Sequence, residues 1–524
     1  MLVHEIIEYN AAKLPDAVAL VSENGQQTWR EVDDLAECVA NFLASAGVCR
    51  GDRVSVLSRN CIELIAILAA ASKLGAVYAP LNYRLSPAEL GRILDDCKPV
   101  ILFVHVEFAR DPDIAALVGA GTATVVEFDH CAGHRQLSGI CGETPARPDA
   151  ERGHDDDPLW ICYTGGSTGR PKGVVLSHRN MTASAQNFTL VNRIAPDDAY
   201  LLAGPMYHVV LAVPIGYWLA GARTVIMNFD APRALDLMQR QGVTRMVATG
   251  TIFKMLVDEM SAHPREGLRL RNIDFGGAPI PVEMALRASD VFGCTVGQIY
   301  GQSEASVLST YLPPEDYLSA QALPGDESAA ARLRSVGKAA PCVLVGVMDA
   351  RGELLPPGDR VGEIVVKGDT VMLGYWNQDD LTASTISNGW LRTGDLGRMD
   401  ADGYVYLVDR IKDVIISGGE NVYSSEVELA LSAHPEVDEA VVIGKPDPHW
   451  GETVHAIVVP AKGCRPTPEE LTQFCRDRIA RYKVPRSFDF RYELPRLPTG
   501  KIAKHELRSP APLETAYKTN ATVR

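Results

Sequence analysis

Residues 163–173 read Tyr-Thr-Gly-Gly-Ser-Thr-Gly-Arg-Pro-Lys-Gly, between apolar runs at 159–162 and 174–177 that are each typical of a short strand. Glycines let the backbone turn tightly and bring N–H groups close to an anion, while hydroxyls and a lysine add donors and positive charge. The stretch therefore predicts a loop between two strands that holds a polyphosphate. The residues expected to contact it are Thr164, Gly165, Gly166, Ser167, Thr168, Gly169 and Lys172.

A glycine-rich surface turn without any ligand is the alternative interpretation of this loop. The lysine at a fixed offset and the strand in front of the loop favour the phosphate site. The loop is not the P-loop of NTPases, because Lys172 is not followed by Ser or Thr and no helical pattern begins there. A different nucleotide-binding fold is therefore expected.

Length, charge and cysteine usage limit the class of protein. A chain of 524 residues is too long for one core, so two or more domains are expected. The net charge of −15 argues against binding to nucleic acid or to an anionic membrane. The 11 cysteines are scattered, as expected for reduced thiols, and the N-terminus lacks a signal-peptide pattern. The apolar stretch 62–80 contains Glu63 and Lys73, which disfavours a membrane span. We expect a cytoplasmic protein.

Helix and strand patterns alternate over residues 1–150 and again over 196–250, which predicts mostly parallel sheets covered by helices. After about residue 361 the pattern changes to β-like segments followed by helical ones. We therefore predict an α/β protein with a large N-terminal domain of α/β layers, residues 1–409. A small, mobile α+β domain, residues 410–524, is predicted to follow it.

The loop 163–173 resembles the signature loop of the adenylate-forming superfamily, which includes acyl-CoA synthetases, adenylation domains of peptide synthetases and beetle luciferases. Gly166 stands where the usual pattern has serine, which removes a hydroxyl but keeps the backbone donors. The resemblance covers roughly Asp16 to Lys504, with the motifs in the family's order. It implies the acyl-CoA synthetase branch, containing aryl- and fatty-acid-CoA ligases, with ATP, Mg²⁺ and coenzyme A.

Two further motifs resemble the family's adenine and metal sites. The segment 274–279 contains two glycines and a proline, which alone would be read as a turn, while Gly and Ala also permit close approach of a flat ring. In 299–304, Tyr300 offers a stacking face and Glu304 a hard oxygen ligand suited to Mg²⁺. The resemblance implies nucleotide contacts at Gly277, Ala278, Pro279, Tyr300, Gly301, Gln302 and Ser303, and metal ligation by Glu304 and Thr168.

Four charged positions toward the C-terminus match family motifs. Asp395 matches a ribose contact and Arg410 a second contact to ribose or phosphate, although either could be an ordinary surface residue in a turn or linker. Lys412 matches the hinge around which the small domain moves. Lys501, in a Pro-Thr-Gly-Lys sequence, would ordinarily be an exposed and inert lysine, but it matches the mobile catalytic lysine. Its ammonium could stabilise the negative charges that meet when a carboxylate attacks a phosphate.

The carboxylic acid is the least constrained part of the prediction. A histidine beside a tyrosine, as at 207–208, is often only a packed aromatic pair, but the resemblance places His208 near the carboxylate. The residues expected to line the acyl pocket include no Asp, Arg or Lys, which favours an apolar aromatic or medium- to long-chain fatty acid. The predicted pocket residues are Tyr207, His208, Val209, Thr249, Gly250, Gly276 and Gly301. Ser417, Gly418 and Gly419 match the family's pantetheine tunnel.

The resemblance implies a two-step ligase that forms acyl-AMP and pyrophosphate, then acyl-CoA and AMP. Lys501, Glu304, Lys172 and His208 are the predicted catalytic residues. An enzyme that loads an acyl carrier protein is the main alternative, and a luciferase-like oxygenase and a catalytically silent binding protein are two others. No nucleic-acid partner and no transmembrane segment are expected, and a homodimer is left open.

Overall fold

The protein is described here from a computed structural model, which covers residues 1–121, 123–129, 153–164, 171–277, 280–323, 325–496, 502–508 and 515–517. The chain forms two compact units. The first unit comprises Met1–Val345 and Val365–Arg392, and the second comprises Gly346–Ile364 and Thr393–Arg524. The predicted α/β class is confirmed, because helices alternate with largely parallel strands in the first unit.

The helices follow in chain order. They are α1 Val3–Lys13, α2 Trp29–Ser45, α3 Ile62–Leu74, α4 Pro87–Cys97, α5 Val106–Ala109, α6 Pro112–Ala120, α7 His178–Asn192, α8 Ala212–Leu219, α9 Ala231–Gln241, α10 Gly250–Ala262, α11 Val282–Phe292, α12 Pro314–Ala322, α13 Glu327–Arg332, α14 Asp379–Thr385, α15 Ser424–Ser432, α16 Pro468–Arg476 and α17 Lys504–Arg508. Short 3₁₀ turns occur at Val209–Leu211, Ser303–Ala305, Ile411–Asp413 and Arg481–Lys483.

The strands are given in chain order, because the two units alternate along the sequence. They are β1 Val18–Ser22, β2 Gly25–Thr28, β3 Arg53–Leu57, β4 Val77–Pro80, β5 Ile101–His105, β6 Thr124–Phe128, β7 Pro158–Thr164, β8 Lys172–Ser177, β9 Ala199–Leu202, β10 Arg223–Ile226, β11 Arg245–Thr249, β12 Asn272–Gly276, β13 Thr295–Tyr300, β14 Thr310–Leu312, β15 Lys338–Ala339, β16 Leu344–Met348, β17 Gly362–Lys367, β18 Gly374–Tyr375 and β19 Ile386–Ser387. The remaining strands are β20 Trp390–Met399, β21 Val405–Arg410, β22 Ile415–Ser417, β23 Glu420–Val422, β24 Val437–Asp447, β25 Gly451–Pro460, β26 Ser487–Arg491 and β27 Thr515–Tyr517.

A seven-stranded sheet carries the predicted phosphate loop. Its order is β18-β8-β7-β4-β3-β5-β6, with parallel pairing from β7 to β6. Strands β7 and β8 pair antiparallel, with Tyr163 opposite Gly173 and Thr164 opposite Lys172. Both strands predicted around the loop are confirmed, and Lys172 begins a strand rather than a helix.

A nine-stranded sheet, β15-β14-β13-β12-β11-β9-β10-β1-β2, forms the second layer of the first unit. Its central strands, β1 and β9 to β13, pair in parallel. Parallel strands are covered on both faces by helices, and their buried residues accordingly run almost continuously. The carboxyl ends of β11, β12 and β13 lie in register at one edge of this sheet.

The second unit contains the smaller α+β arrangement that the sequence predicted. Among its described residues, the strands β23-β22-β25-β26-β27 form one sheet, in which β24 also pairs with β25. Apolar residues of these strands form one core with residues of α15 and α16, such as Val427 and Leu471. The hairpin of β20 and β21 places Asp395 opposite Arg410.

Helix α3 explains the most apolar stretch of the sequence. Its residues 62–72 are all buried, so it is apolar on every side because protein surrounds it. Lys73 follows, and its nearly buried ammonium lies 3.0 Å from an Asp33 carboxylate oxygen and 3.3 Å from one of Glu37. Within the described ranges, no helix is long and apolar enough to cross a membrane.

Among the cysteines that the structure describes, the expectation of reduced thiols holds for eight and fails for Cys38. Free thiols occur at Cys49, Cys61, Cys97, Cys162, Cys294, Cys342, Cys464 and Cys475. Cys38 is disulfide-bonded, so the expectation is wrong at that position.

Stability of the first unit should depend on the protonation of His178. This imidazole is fully buried, its Nδ1 accepts the Val3 N–H at 3.2 Å, and burial lowers its pKa to about 4. The unfolded chain therefore binds more protons between about pH 6.5 and pH 4, so this stability is complete above pH 6.5 and is lost toward pH 4. We expect His178→Asn to remove up to about 3 kcal/mol of this pH dependence, measured by urea unfolding.

His263→Asn is the matched control, because that histidine side chain is 65% exposed. This variant should retain the parent's dependence of unfolding free energy on pH. If His178→Asn also retained it, the buried neutral imidazole would not be the source of the acid sensitivity.

Candidate active site

Residues from three predicted motifs meet at the carboxyl edge of the nine-stranded sheet. Thr249 at the end of β11 lies opposite Gly276 at the end of β12, and Gly276 lies opposite Ile299, next to Tyr300. In open α/β sheets, ligands bind beyond the carboxyl ends of the parallel strands. The register therefore brings Thr249 and Tyr300, which are 51 residues apart in the chain, to one candidate ligand-binding edge.

Glycine at two positions of this edge is required by close backbone contacts. A Cβ on Gly276 would lie 2.5 Å from the carbonyl oxygen of Ile299, and one on Gly301 would lie 2.0 Å from that of Val307. Gly277 has φ +79°, a left-handed conformation that glycine adopts readily. The backbone at Gly276 and Gly301 therefore packs closely against β13 and the turn that follows it, whereas Gly277 is exposed.

The turn after β13, which carries Glu304, continues into a strained backbone at Ser306 and Val307. Ser306 and Val307 have φ values of +53° and +82°, and the second is unusual for a β-branched residue. Hydrogen bonds surround the turn: the Ser309 N–H donates to the Tyr300 carbonyl at 2.8 Å, and the Ser306 hydroxyl donates to the Thr370 backbone carbonyl at 2.8 Å. Such strain persists where the surrounding structure enforces it, and it is concentrated at functional sites.

Lys172, Glu304 and Tyr375 come together although they lie far apart in the sequence. The Tyr375 hydroxyl donates to Glu304 Oε1 at 2.9 Å, and Lys172 Nζ lies 5.8 Å from the centroid of the Tyr375 ring. Two of the predicted catalytic residues thus contact one tyrosine. Tyr375 was absent from the predicted site, because only the pairing of β18 with β8 brings it there.

The loop after β9 carries Tyr207 and His208. Asn60 holds this loop, donating to the Gly204 carbonyl at 2.8 Å and accepting from Met206 N–H at 2.8 Å. Tyr207 is buried, and burial raises its pKa to about 12. His208 is half-buried.

The predicted acyl-pocket residues differ in exposure. Val209 is buried at the start of a 3₁₀ turn, and Gly276 is buried at the end of β12. Thr249 is exposed, and Gly250 and Gly301 are half-buried. The apolar members therefore lie inward, and Thr249 faces solvent.

The predicted ribose residues form an ion pair within the second unit. Arg410 Nε lies 3.0 Å from Asp395 Oδ1, and these two residues are opposite each other in the β20–β21 hairpin. The Asp395 backbone N–H donates to the Thr393 hydroxyl at 3.1 Å. The neighbouring Lys412 belongs to the 3₁₀ turn Ile411–Asp413.

The predicted tunnel residues form a tight hairpin turn between β22 and β23. Gly418 and Gly419 have φ values of +62° and +85°, as a two-residue turn with both central residues left-handed requires. A Cβ on Gly418 would lie 2.7 Å from Cε3 of Trp450, so Gly418 also provides space for an indole. Ser417 is buried at the end of β22.

Several predicted site residues lie outside the described part of the chain. They are Gly165, Gly166, Ser167, Thr168, Gly169, Ala278, Pro279 and Lys501. Their predicted roles rest on the sequence alone.

Gly301→Ala should damage both the fold and the site, because its Cβ would meet the Val307 carbonyl at 2.0 Å and the backbone must move. We expect a loss of about 1–3 kcal/mol in unfolding free energy, as for other overpacked positions. Denaturant unfolding measures the effect. Gly119→Ala is the control, since no atom lies within 4 Å of its added Cβ, and it should be neutral or slightly stabilising. Equal stability of both variants would contradict the assigned contact.

Comparison with known proteins places the chain in a family. The profile described as AMP-binding enzyme matches residues 7–376, and the profile of the AMP-binding enzyme C-terminal domain matches residues 426–501. The chain is 37% identical to a feruloyl-CoA synthase of an Amycolatopsis species over 505 residues, covering 94% of this chain and 96% of that protein. It is 34% identical to the fatty acid–acyl-carrier-protein ligase ScoC of Streptomyces coeruleorubidus, covering 98% and 97%.

Among solved structures, the fold is similar to o-succinylbenzoate CoA synthetase of Bacillus subtilis. Its complex with an acyl-adenylate intermediate has a TM-score of 0.84 at 29% identity, covering 97% of this chain and 99% of that one. Its complex with ATP and magnesium ion has a TM-score of 0.82 at 30% identity, covering 96% and 99%. Together with the two family profiles, these similarities establish that the chain belongs to the AMP-binding enzymes, as the resemblance of its motifs predicted.

Proposed function

We propose that this protein is an ATP-dependent acid–CoA ligase that acts on an apolar aromatic or medium- to long-chain fatty acid. The observation that carries the proposal is that Lys172 and Glu304 both contact Tyr375, in a chain of which 94% is similar to a feruloyl-CoA synthase. A cation next to the predicted phosphate loop and a carboxylate beside the sheet edge are the charges that ATP with its metal requires.

The described residues fit ATP and magnesium. We place the adenine at the sheet edge beyond Gly276, where Tyr300, next to Gly301, offers a stacking face. Glu304, with Thr168, would hold Mg²⁺, which when bound neutralises part of the phosphate charge. Asp395 and Arg410 would contact the ribose. The remaining nucleotide contacts are proposed at Thr164, Gly165, Gly166, Ser167, Gly169, Lys172, Gly277, Ala278, Pro279, Gln302 and Ser303.

In the first half-reaction, a carboxylate oxygen of the acid attacks the α-phosphorus of ATP, and the bond to the leaving pyrophosphate breaks. Lys172 would hold the β- and γ-phosphates as the negative charge shifts toward them. Lys501 would lie between the attacking carboxylate and the phosphate and stabilise the transition state. His208 would position the carboxylate by donating a hydrogen bond.

In the second half-reaction, a thiolate attacks the carbonyl carbon of the acyl-AMP, and AMP leaves with the bridging oxygen. The glycine turn Gly418–Gly419, with Ser417, would accept the thin pantetheine chain. We propose Lys412 as the hinge of the change between the two half-reactions, with the division at residues 409 and 410. Such a conformational step often limits turnover.

The proposed class of acid rests on the pocket residues and on the similarity of the chain to two ligases. Tyr207 and Val209 are buried and apolar in character, and no charged residue is among the proposed pocket members. An amino acid or a dicarboxylate would need a buried charged partner. The similarity to a feruloyl-CoA synthase supports an aromatic acid, and that to a fatty-acid ligase supports an aliphatic one.

An acyl carrier protein is the second candidate acceptor. The specific observation in its favour is the 34% identity to a fatty acid–acyl-carrier-protein ligase over 98% of this chain. Both acceptors present the same pantetheine thiol, so the first half-reaction is common to them. A cytoplasmic location and a homodimer also remain proposals.

The experiment supplies the purified chain with ATP, Mg²⁺ and benzoates, cinnamates or C4–C16 fatty acids, with CoA, with a carrier protein, or with neither. Mass spectrometry identifies the product. We expect an acyl-CoA with one class of acid, together with AMP and pyrophosphate. Thioester on the carrier protein but not on CoA would support the second candidate. Absence of AMP with every acid would overturn the ligase proposal.

A further inference from the structure

The backbone around Tyr375 is fixed against the predicted phosphate hairpin. Strand β18 pairs antiparallel with β8, so that Tyr375 lies opposite Val174 and the Trp376 N–H donates to the Gly173 carbonyl at 2.7 Å. The Tyr375 N–H donates to the Thr382 hydroxyl at 2.8 Å. The tyrosine is therefore a rigid part of the structure that carries Lys172.

The side chain of Tyr375 spans from this hairpin to the turn after β13. Its ring lies beneath the Lys172 ammonium, and its hydroxyl donates to Glu304 Oε1. The side chain is buried, so its hydroxyl donates to this carboxylate where bulk water is largely excluded.

The hydrogen bond from Tyr375 makes the two carboxylate oxygens of Glu304 different from each other. Oε1 accepts from Tyr375, while no hydrogen-bond donor contacts Oε2 among the residues that the structure describes. A glutamate side chain has three rotatable bonds, and a charge-assisted hydrogen bond to one oxygen limits where the other can point. A ligand held in one orientation binds a hard cation better than a mobile one, because less freedom is lost on binding.

We propose that Tyr375 is a positioning residue, which orients Glu304 so that Oε2 faces the magnesium that accompanies ATP. This inference rests on the proposed function, since it needs Glu304 as the metal ligand. Tyr375 touches neither substrate nor metal in this role. The positioning role also accounts for the contacts of Tyr375 with both Lys172 and Glu304.

Tyr375→Phe in the full chain tests the inference, because it keeps the ring under Lys172 and removes only the donor. Calorimetric titration of ATP, once with Mg²⁺ and once with EDTA, needs no acid substrate. We expect the variant to bind ATP with Mg²⁺ about 10- to 100-fold more weakly than the parent, in line with the loss of one hydrogen bond to a charged group. Affinity in EDTA should stay within about 2-fold, and excess Mg²⁺ should restore binding.

Tyr311→Phe is the matched control, because its buried hydroxyl also donates to a carboxylate, that of Asp274, at 2.9 Å. It should lower the melting temperature and leave the Mg²⁺ dependence of ATP binding unchanged. A double variant provides a second reading: in a Glu304→Gln background, Tyr375→Phe should have no further effect on ATP affinity with Mg²⁺.

The outcomes separate the inference from the proposed function. If the parent binds ATP equally well with Mg²⁺ and with EDTA, the metal role of Glu304 fails and the inference fails with it. If the parent depends on Mg²⁺ but Tyr375→Phe binds as the parent does, only the positioning role is wrong. Equal effects of Tyr375→Phe in the parent and in the Glu304→Gln background would likewise overturn it.

Discussion

Lys501→Ala should lower the rate of acyl-AMP formation by about 100- to 1,000-fold, the range seen when one donor to a developing charge is removed. The attacking carboxylate and the α-phosphate are both anionic, so loss of the ammonium raises the barrier of this step. Thioester formation from supplied acyl-AMP should stay within about 3-fold of the parent, because the thiol attacks a neutral carbonyl carbon. Pyrophosphate release and thioester formation are measured separately.

Lys462→Ala is the control for Lys501→Ala, because Lys462 is an exposed lysine of the same unit. It should leave both half-reactions unchanged. An equal loss in both half-reactions of Lys501→Ala would indicate a damaged fold, and parental pyrophosphate release would refute the catalytic role of this lysine.

Glu304→Gln should reduce kcat/KM for acyl-AMP formation by about 100-fold, comparable with removal of one electrostatic contact to the reacting phosphates. Glutamine has the same size, and its amide oxygen can still accept from the Tyr375 hydroxyl, so the local structure is kept. The NH₂ group then takes the place of Oε2, and it carries no negative charge and is not a ligand for Mg²⁺. Steady-state pyrophosphate release over a range of Mg²⁺ concentrations measures the loss, which higher Mg²⁺ should partly reverse.

Glu315→Gln serves as the comparison, since Glu315 is exposed and its ion pair with Arg193, at 3.3 Å, is of the weak surface kind. Its Mg²⁺ dependence should equal that of the parent. The metal role of Glu304 would be rejected if Glu304→Gln showed the parental dependence on Mg²⁺ as well.

Much of the site could be predicted because its parts are continuous in sequence. The glycine loop lies between two apolar runs, and the strands β7 and β8 were found where those runs predicted them. The motif at 299–304 follows directly from β13, so its tyrosine and glutamate must lie at the strand's carboxyl end. The position of a short motif in the fold can therefore be predicted when the motif adjoins a recognisable strand.

Tyr375 shows what the sequence could not predict. It lies 71 residues after Glu304 and more than 200 after Lys172, in a strand of two residues that is too short to produce a periodic pattern. Its position in the site depends on which strand β18 pairs with. Pairing between distant segments cannot be predicted from the local conformational preferences of the residues. The positive φ of Val307 could not be predicted for a related reason, because tertiary contacts override the backbone preference of a β-branched residue.

The central claim is that the acid is activated by forming a bond between its own oxygen and the α-phosphorus of ATP. Labelling both carboxylate oxygens of an accepted acid with ¹⁸O tests this directly, with mass spectrometry of the AMP released during thioester formation. We expect one ¹⁸O atom in each AMP, and none in pyrophosphate. Unlabelled AMP, or label found in a free phosphate, would contradict it.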